Sequence, residues 1–296
     1  MTVRIVLVVV LFAGALGFVY RDQLVRYATH LKGSPTETVA WRPIAAGDPL
    51  ELHLAVVGDV GDSGSRLRAT AHAITEVDAV EPVDGLVLVG DNVYPSGDPS
   101  RLPATVFEPF ADVLDDAELY AVLGNHDVKQ GNAAGQVAAL DMPGRWWASH
   151  LGDVLLVGLD SSLVGDPDQR VWLERTLAAA TERWRIVVLH HPPYSAGYQG
   201  SDQAVRETFV PLFERYGVLL VVSGHDHDYQ RSVPINGVVY LVTGGAAGTR
   251  RTGEEDFTAV SFSWHHFVEL AVSRDRLVAR AINQDLRVAD EAVIAP

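Results

Sequence analysis

Five short clusters of polar residues in this sequence combine the side chain types that bind metal ions. They contain aspartate, asparagine, tyrosine and histidine, and four of the five begin with glycine. The clusters are Gly58-Asp59-Val60-Gly61, Gly90-Asp91-Asn92-Val93-Tyr94, Gly124-Asn125-His126-Asp127, His190-His191-Pro192 and Gly224-His225-Asp226-His227. The chain has no cysteine, so a metal here must use nitrogen and oxygen ligands. Such an inventory suits two borderline or hard cations, not a structural zinc closed by four ligands.

Two such cations could activate water for attack on phosphorus. A metal pair about 3.5 to 4 Å apart holds the attacking and leaving oxygens of a displacement at phosphorus. When ionised, Asp59, Asp91 and Tyr94 contribute fewer negative charges than a trivalent and a divalent metal contribute positive ones. The site would then be locally cationic and could bind an anionic substrate although the formal charge of the chain is -15.

Single clusters of this kind are common in ordinary turns. Gly-Asp, Asn-His-Asp and His-Pro segments each occur in loops that have no catalytic role. The last cluster is more specific, because His225 and His227 alternate and can reach adjacent metal positions. The prediction of a metal centre depends on all five clusters together. Each follows a β-type run, and ligands of open α/β sheets bind where strands end.

The body of the chain alternates short β-branched runs with longer amphipathic segments. This pattern predicts nine strands, most of them buried on both faces: ELHLAVVG, GLVLVG, ELYAVLG, VLLVGLD, RIVVLH, VLLVVSG, VVYLVTG, HFVELAV and LVARAIN. Helices are predicted over residues 66–80, 104–115, 168–181 and 203–216. For the third helix we expect Asp166 as the cap, Pro167 at the first helical position and Gln169 to close a capping box. The pattern indicates one α/β domain.

Residues 5–20 form an uninterrupted apolar run after Arg4. At about 1.5 Å per residue the run is slightly short for a hydrocarbon core of about 30 Å. Three interpretations stay open: an uncleaved membrane anchor extended by Arg4 and Arg21, a cleaved signal peptide with small residues at 13–15, and a buried core helix. The first two place the rest of the chain outside the cytoplasm, membrane-anchored or secreted.

Composition and segment pattern give the domain organisation. With 38 acidic and 23 basic residues, the chain is unsuited to binding through neutralisation of nucleic-acid phosphates. Its 48% apolar and 21% charged residues are ordinary for a globular protein, which excludes disorder and collagen-like structure. We predict a membrane anchor or signal segment at residues 1–31, a linker rich in proline and glycine at 32–50, and one catalytic domain at 51–296.

The five clusters, in this order, resemble the calcineurin-like metallophosphoesterase superfamily and, within it, the purple acid phosphatases. The resemblance covers roughly residues 52–283 and continues beyond the last cluster through Tyr229-Gln230-Arg231, Asn236-Gly237 and Gly244-Gly245. It implies a four-layer α/β sandwich of two mixed β-sheets flanked by α-helices, here with an N-terminal apolar helix. Residues 21–50 are too short for the extra β-domain of larger members, so the chain corresponds to the small single-domain form.

The resemblance also implies a ligand set. Gly61 stands where most relatives carry a histidine, and Tyr94 follows the bridging aspartate as in purple acid phosphatases. One metal would take Asp59, Asp91, Tyr94 and His227, and the other Asp91, Asn125, His190 and His225. Tyrosinate suits ferric iron, so the implied cofactors are two metal ions, Fe(III) plus Zn, Mn or Fe(II), with a purple phenolate-to-iron charge transfer.

Three further residues take roles from the same resemblance. His126 would contact a substrate oxygen or protonate the leaving group, a role that its titration near neutral pH permits. Residues 193–199 lack the further histidine that purple acid phosphatases usually place there, so His126 is the remaining acid. His191 matches a non-ligand position, and Arg231 is expected to brace its loop and not to contact the substrate.

We therefore predict an exported dinuclear-metal phosphoric-ester hydrolase of the acid phosphatase type, in which a metal-bound hydroxide attacks phosphorus. Phosphomonoesters are favoured as substrates, and the partners are phosphorylated small molecules or other phosphoesters. The membrane is a partner if the N-terminal segment is uncleaved. The alternative is a phosphodiesterase or nucleotide hydrolase of the same superfamily, and a third hypothesis is a non-catalytic metal-containing surface binding protein.

Overall fold

The computed structural model describes residues 37–44 and 49–296. The predicted N-terminal apolar helix, within residues 1–31, lies outside the described residues. Inside the two described ranges, none of the helices combines the length and apolar character that crossing a bilayer requires. The predicted boundaries at residues 31 and 50 stay predictions.

Fourteen strands and five α-helices occur in the described ranges. The strands are β1 (Val39–Ala40), β2 (Leu52–Val57), β3 (Gly85–Leu88), β4 (Glu118–Ala121), β5 (Trp147–Leu151), β6 (Val154–Gly158), β7 (Trp184–Val188), β8 (Leu220–Ser223), β9 (Tyr229–Ser232), β10 (Val239–Thr243), β11 (Thr258–Phe262), β12 (His266–Val272), β13 (Leu277–Asn283) and β14 (Arg287–Ile294). The helices are α1 (Ser65–Asp78), α2 (Ala111–Leu114), α3 (Ala133–Ala139), α4 (Pro167–Ala179) and α5 (Gln203–Arg215).

The strands form two seven-stranded sheets. The first has the order β1-β14-β13-β12-β2-β3-β4, and the second has the order β11-β9-β10-β8-β7-β6-β5. In the first sheet β2, β3 and β4 run parallel and the remaining pairs are antiparallel. In the second sheet β6, β7, β8 and β10 run parallel, with antiparallel strands at both edges. Both sheets are therefore mixed, as predicted.

Alternate residues of the second sheet face two different cores. Leu156 and Val188 belong to the core that also contains Leu54 of the first sheet. Their neighbour Leu155 belongs to a second core, together with Phe209 of α5 and residues of α4. Because side chains alternate across a strand, the second sheet lies between the first sheet and these two helices. Helix α1 packs against β12 of the first sheet, and the predicted four-layer sandwich is confirmed.

All nine predicted strands are present, but the pattern missed β1, β5, β9, β11 and β14. Strand β9 reads Tyr-Gln-Arg-Ser and is fully buried, so no apolar alternation marks it. Strand β1 lies inside the segment predicted as a linker and pairs with β14. The predicted helix over 104–115 is wrong as a single element. It divides into a π-helical turn at Pro103–Phe107 and the short α2, because Pro109 cannot continue a helix.

The start of α4 agrees with the sequence in one respect and differs in another. The Asp166 carboxylate accepts hydrogen bonds from the backbone N–H groups of Asp168 and Gln169, at 2.8 and 3.4 Å, and caps the helix as predicted. The predicted capping box, in which Gln169 would bond back to the helix cap, is wrong. The buried Gln169 side chain instead accepts from the Asp160 N–H at 2.8 Å and donates to the Asp160 carbonyl at 3.0 Å. The Gln169 side chain thus gives the Asp160 N–H, in the loop after β6, a hydrogen-bond partner.

A buried ion pair joins the two sheets. Arg231 of β9 donates from Nε and Nη2 to the two Asp290 carboxylate oxygens of β14, at 2.6 and 2.9 Å. The Tyr229 hydroxyl donates to the same carboxylate at 2.7 Å. Arg231 is thus a structural residue, since its guanidinium is buried against a strand of the other sheet.

Removing the charge of Asp290 should destabilise the fold strongly, because Arg231 would then keep a buried charge without its counterion. We expect Asp290→Asn to lower the free energy of unfolding by about 3 kcal/mol, measured by urea denaturation. The matched control is Asp275→Asn, which breaks the exposed pair with Arg183 and should change stability by less than about 0.5 kcal/mol. Equal stabilities of the two variants would contradict the account.

Candidate metal centre

The structure places all five polar clusters at the carboxyl ends of parallel strands. Asp59, Asp91 and Asn125 follow β2, β3 and β4, which are neighbours in the first sheet. His190 and His225 follow β7 and β8, which are neighbours in the second sheet. Since the carboxyl ends of adjacent parallel strands share one edge, each sheet contributes part of a common site.

One group of site residues gathers around Tyr94. Its hydroxyl donates a hydrogen bond to Asp59 Oδ1 at 3.0 Å and lies 3.0 Å from His227 Nε2. His227 Nε2 is also 3.3 Å from the same Asp59 oxygen. A phenol oxygen, a carboxylate oxygen and an imidazole nitrogen thus face one another within about one hydrogen-bond length. These are suitable ligands for a hard or borderline cation.

A second group gathers around the buried His190. Its Nδ1 lies 2.9 Å from the Val89 carbonyl oxygen, which can only accept, so Nδ1 carries the hydrogen and Nε2 presents its lone pair. That Nε2 lies 3.1 Å from Asn125 Oδ1, 3.3 Å from His225 Nδ1 and 3.4 Å from Asp91 Oδ1. Acceptor atoms converge here, and a cation between them would satisfy all of them. The residues present therefore fit a metal site.

The pKa shifts of the candidate ligands reflect the negative charge of Asp59 and Asp91. Burial opposes protonation of His190, but the Asp91 and Asp59 carboxylates outweigh it and raise the His190 pKa to about 10. Burial and a charged His190 lower the pKa of His225 to about 3. Burial and the Asp59 and Asp91 carboxylates raise the pKa of Tyr94. The raised pKa of His190 thus reflects the negative charge of Asp91 and Asp59, which a metal ion would neutralise.

Three of the site residues have backbone conformations that side chains rarely adopt. Asp59, Asp91 and His225 have φ angles of 60°, 53° and 71°. Hydrogen bonds hold these turns in place: the His225 N–H donates to Asp59 Oδ2 at 2.9 Å, and the His126 N–H donates to Asp91 Oδ1 at 2.8 Å. Such conformations cost energy and concentrate at functional sites.

Two buried carboxylates, Asp127 and Asp226, hold the loops that carry the site residues. Neither was predicted to have a role. Asp127 accepts hydrogen bonds from the backbone N–H groups of Gly124, Asn92 and Val93 at 2.8, 3.1 and 3.1 Å. It ties the loop after β3 to the loop after β4. Asp226 binds the loop 195–200 in the same way and lies between His225 and His227. Their sequence signal is a carboxylate next to a site residue in each cluster.

His191 lies beside the second group without joining its hydrogen bonds. Its Nδ1 is 2.8 Å from Ser161 Oγ, and Ser161 Oγ also accepts from the His191 backbone N–H at 3.0 Å. Nitrogen atoms of His190, His191 and His225 nevertheless all lie within 4.8 Å of one another. The assignment of His191 as a non-ligand stays a prediction.

A cavity of about 350 Å³ opens beside the first group. It is lined by Asp62, Tyr94, Pro95, His126, His227, Ala247, Gly248 and Arg250. The His126 ring contacts the Tyr94 ring edge-on with centroids 4.7 Å apart, and His126 Nδ1 donates to the Pro95 carbonyl at 2.6 Å. His126 Nε2 is therefore the ring nitrogen that no backbone carbonyl binds, and it lies 4.0 Å from Asp91 Oδ2 and 3.2 Å from Lys129 Nζ.

Comparison with known proteins identifies relatives of this chain. Residues 52–229 match the family model described as "Calcineurin-like phosphoesterase". Tartrate-resistant acid phosphatase type 5 of Oryctolagus cuniculus is 29% identical over 244 residues, which cover 68% of this chain and 75% of that protein. Purple acid phosphatase 17 of Arabidopsis thaliana is 26% identical over 234 residues, which cover 67% and 69%.

Solved structures share the fold. The purple acid phosphatase PPD1 from yellow lupin (Lupinus luteus) seeds superposes with a TM-score of 0.73 at 18% identity, over 86% of this chain and 55% of that one. GAP50, the anchor in the inner membrane complex of Plasmodium, superposes with a TM-score of 0.74 at 18% identity, over 82% and 88%. In both cases the similarity is in the four-layer fold.

The close approach of two loops at Gly124 gives a test of the geometry. A Cβ at this position would lie 2.2 Å from both the backbone nitrogen and the Oδ1 of Asp91. We expect Gly124→Ala to push the two loops apart and to lower stability by about 1 to 3 kcal/mol, measured by thermal unfolding. Gly165→Ala, where a Cβ meets open space, is the control and should change little. A Gly124→Ala variant as stable as the control would refute this packing.

Proposed function

The chain belongs to the calcineurin-like phosphoesterase family and is a phosphoesterase, and we propose that it hydrolyses phosphomonoesters at a dinuclear metal centre. The predicted kinship with purple acid phosphatases is confirmed. Its purple acid phosphatase homologues imply a dinuclear centre, and the structure has candidate ligands for one. The observation that carries the proposal is the convergence of acceptor atoms around His190 Nε2 and around the Tyr94 hydroxyl.

The proposed ligands combine the two groups of the site with Asp91 as a member of both sets. The residues around one metal are Asp59, Asp91, Tyr94 and His227, and those around the other are Asp91, Asn125, His190 and His225. Asp91 is proposed as the bridge, since it belongs to both predicted ligand sets and is buried beside His190. We propose Fe(III) with Zn, Mn or Fe(II), because a phenolate such as that of Tyr94 suits ferric iron and the Tyr94 hydroxyl faces Asp59 and His227.

When bound, the cations would polarise the phosphoryl group and activate water. The chain's own residues then orient the substrate and move protons. Tyr94 and His227 form one wall of the cavity, and His126 lies in the same cavity with Nδ1 fixed by the Pro95 carbonyl. His126 Nε2 is proposed to hold the proton that the departing alkoxide oxygen receives.

Location forms part of the proposal. The apolar run at residues 5–20 supports export, as a membrane-anchored or secreted protein. We propose residues 1–31 as the anchor or signal segment, 32–50 as a linker and 51–296 as the catalytic domain.

The reaction class is tested with the full chain, loaded with iron plus zinc or manganese. Initial hydrolysis of an aryl phosphomonoester is compared with that of the matching diester across pH 4 to 8. We expect faster cleavage of the monoester, with turnover retained at acid pH. Preference for the diester would instead indicate a phosphodiesterase, and no turnover by metal-loaded protein would favour a binding protein.

The roles of two adjacent residues should separate. Asn125→Ala should lower the number of metal ions bound per chain, since it removes an oxygen 3.1 Å from His190 Nε2. His126→Ala should retain the metals and lower kcat about 100-fold or more, because it removes a proton donor. Elemental analysis and steady-state kinetics on both variants check these outcomes. Unchanged turnover in both variants would refute the proposed mechanism.

A further inference from the structure

Arg250 lines the cavity beside the candidate metal centre and has no acceptor for its guanidinium. Within residues 37–44 and 49–296, no side-chain hydrogen bond or ion pair of Arg250 occurs, although Asp62 lines the same cavity. Two other cations near the cavity have partners: Arg101 donates to the Tyr94 carbonyl, and Lys129 Nζ lies 3.2 Å from His126 Nε2. An arginine whose guanidinium has no such partner thus lines the same cavity as Tyr94 and His227 of the proposed ligand set.

The backbone of Arg250 is held against the site. Its N–H donates to the His227 carbonyl at 2.7 Å, and the Ser263 hydroxyl donates to its carbonyl. Because His227 belongs to the proposed ligand set, this contact holds the Arg250 backbone next to the centre.

The guanidinium itself is supported by Tyr198. Its Cζ lies 5.5 Å from the Tyr198 ring centroid, which is within the range of a cation–π contact. Tyr198 is 75% exposed, so burial does not hold this ring. Its loop is instead fastened by Asp226, which accepts from the N–H groups of Gln199 and Gly200 at 2.7 and 3.2 Å. Because the loop is held in place, the exposed Tyr198 ring can contact Arg250 with little loss of conformational entropy.

We propose that Arg250 binds the non-bridging oxygens of the substrate phosphoryl group and selects dianionic phosphomonoesters over monoanionic diesters. Tyr198 is the positioning residue: stacking occupies a face of the guanidinium and leaves its N–H edges free. A guanidinium fork matches phosphate oxygens bidentately. A monoester carries close to two negative charges at pH 7, whereas a diester has one charge and one fewer free oxygen. The inference rests on the proposed function and names what sets its ester preference.

The test compares Arg250→Met with Arg251→Met, which removes the same charge from the next, equally exposed residue. At pH 7 we measure kcat/KM of the metal-loaded chain for an aryl monoester and the matching diester. Arg250→Met should lower the monoester value about 10- to 100-fold and the diester value less than about 3-fold. Arg251→Met should change both by less than about 2-fold. Equal losses for both esters, or no loss for the monoester, would overturn the inference.

Binding of inorganic phosphate, measured by calorimetry on the same metal-loaded proteins, separates this inference from the proposed function. We expect Arg250→Met, but not Arg251→Met, to raise the phosphate Kd about tenfold. This result would support the subsite even if neither ester were hydrolysed, in which case only the proposed function fails. An unchanged phosphate Kd in Arg250→Met would refute the subsite whatever the turnover.

The positioning role of Tyr198 has its own readout. Tyr198→Ala should raise KM for the monoester about 3- to 10-fold and leave kcat unchanged, because the guanidinium loses its support. Tyr198→Phe keeps the aromatic face and should restore the wild-type KM. A Tyr198→Phe variant as impaired as Tyr198→Ala would refute the stacking role.

Discussion

Hydrogen-bond acceptor atoms from both sheets converge at one buried position around His190 Nε2. The rest of the structure holds these atoms together against their mutual repulsion. Asn125 Oδ1 lies 3.1 Å and Asp91 Oδ1 lies 3.4 Å from His190 Nε2. Such atoms repel unless positive charge lies between them, and the Asp91 and Asp59 carboxylates accordingly raise the pKa of His190. The converging acceptor atoms therefore favour a cation at this position, independently of any substrate.

The fold supplies this convergence through parallel strands that end side by side in both sheets. Left-handed turns at Asp59, Asp91 and His225 aim the side chains inward, and hydrogen bonds between clusters offset their cost. Asp127 and Asp226 fasten the surrounding loops. Rigidity of this kind matters because a metal centre and its substrate contacts must be held within a fraction of an ångström.

Much of this arrangement could be predicted from the sequence, because glycine and polar residues directly after apolar runs mark strand ends. The missed elements depend on contacts between distant residues. The buried strand β9 contains Arg231, which pairs with Asp290 of a distant strand, and no local sequence pattern predicts such a contact. Gln169 lies three residues after Asp166, as in a capping box, but the loop at Asp160 takes its side chain. Arg250 gave no signal, since its partner Tyr198 comes from another loop.

Metal content together with the visible spectrum tests the central claim most directly. The full chain is loaded with iron and zinc, freed of unbound metal and compared with Tyr94→Phe by elemental analysis and absorption. The account predicts about two metal ions per chain and a visible phenolate-to-iron band that Tyr94→Phe abolishes. One metal or none per chain, or the same band in Tyr94→Phe, would contradict it.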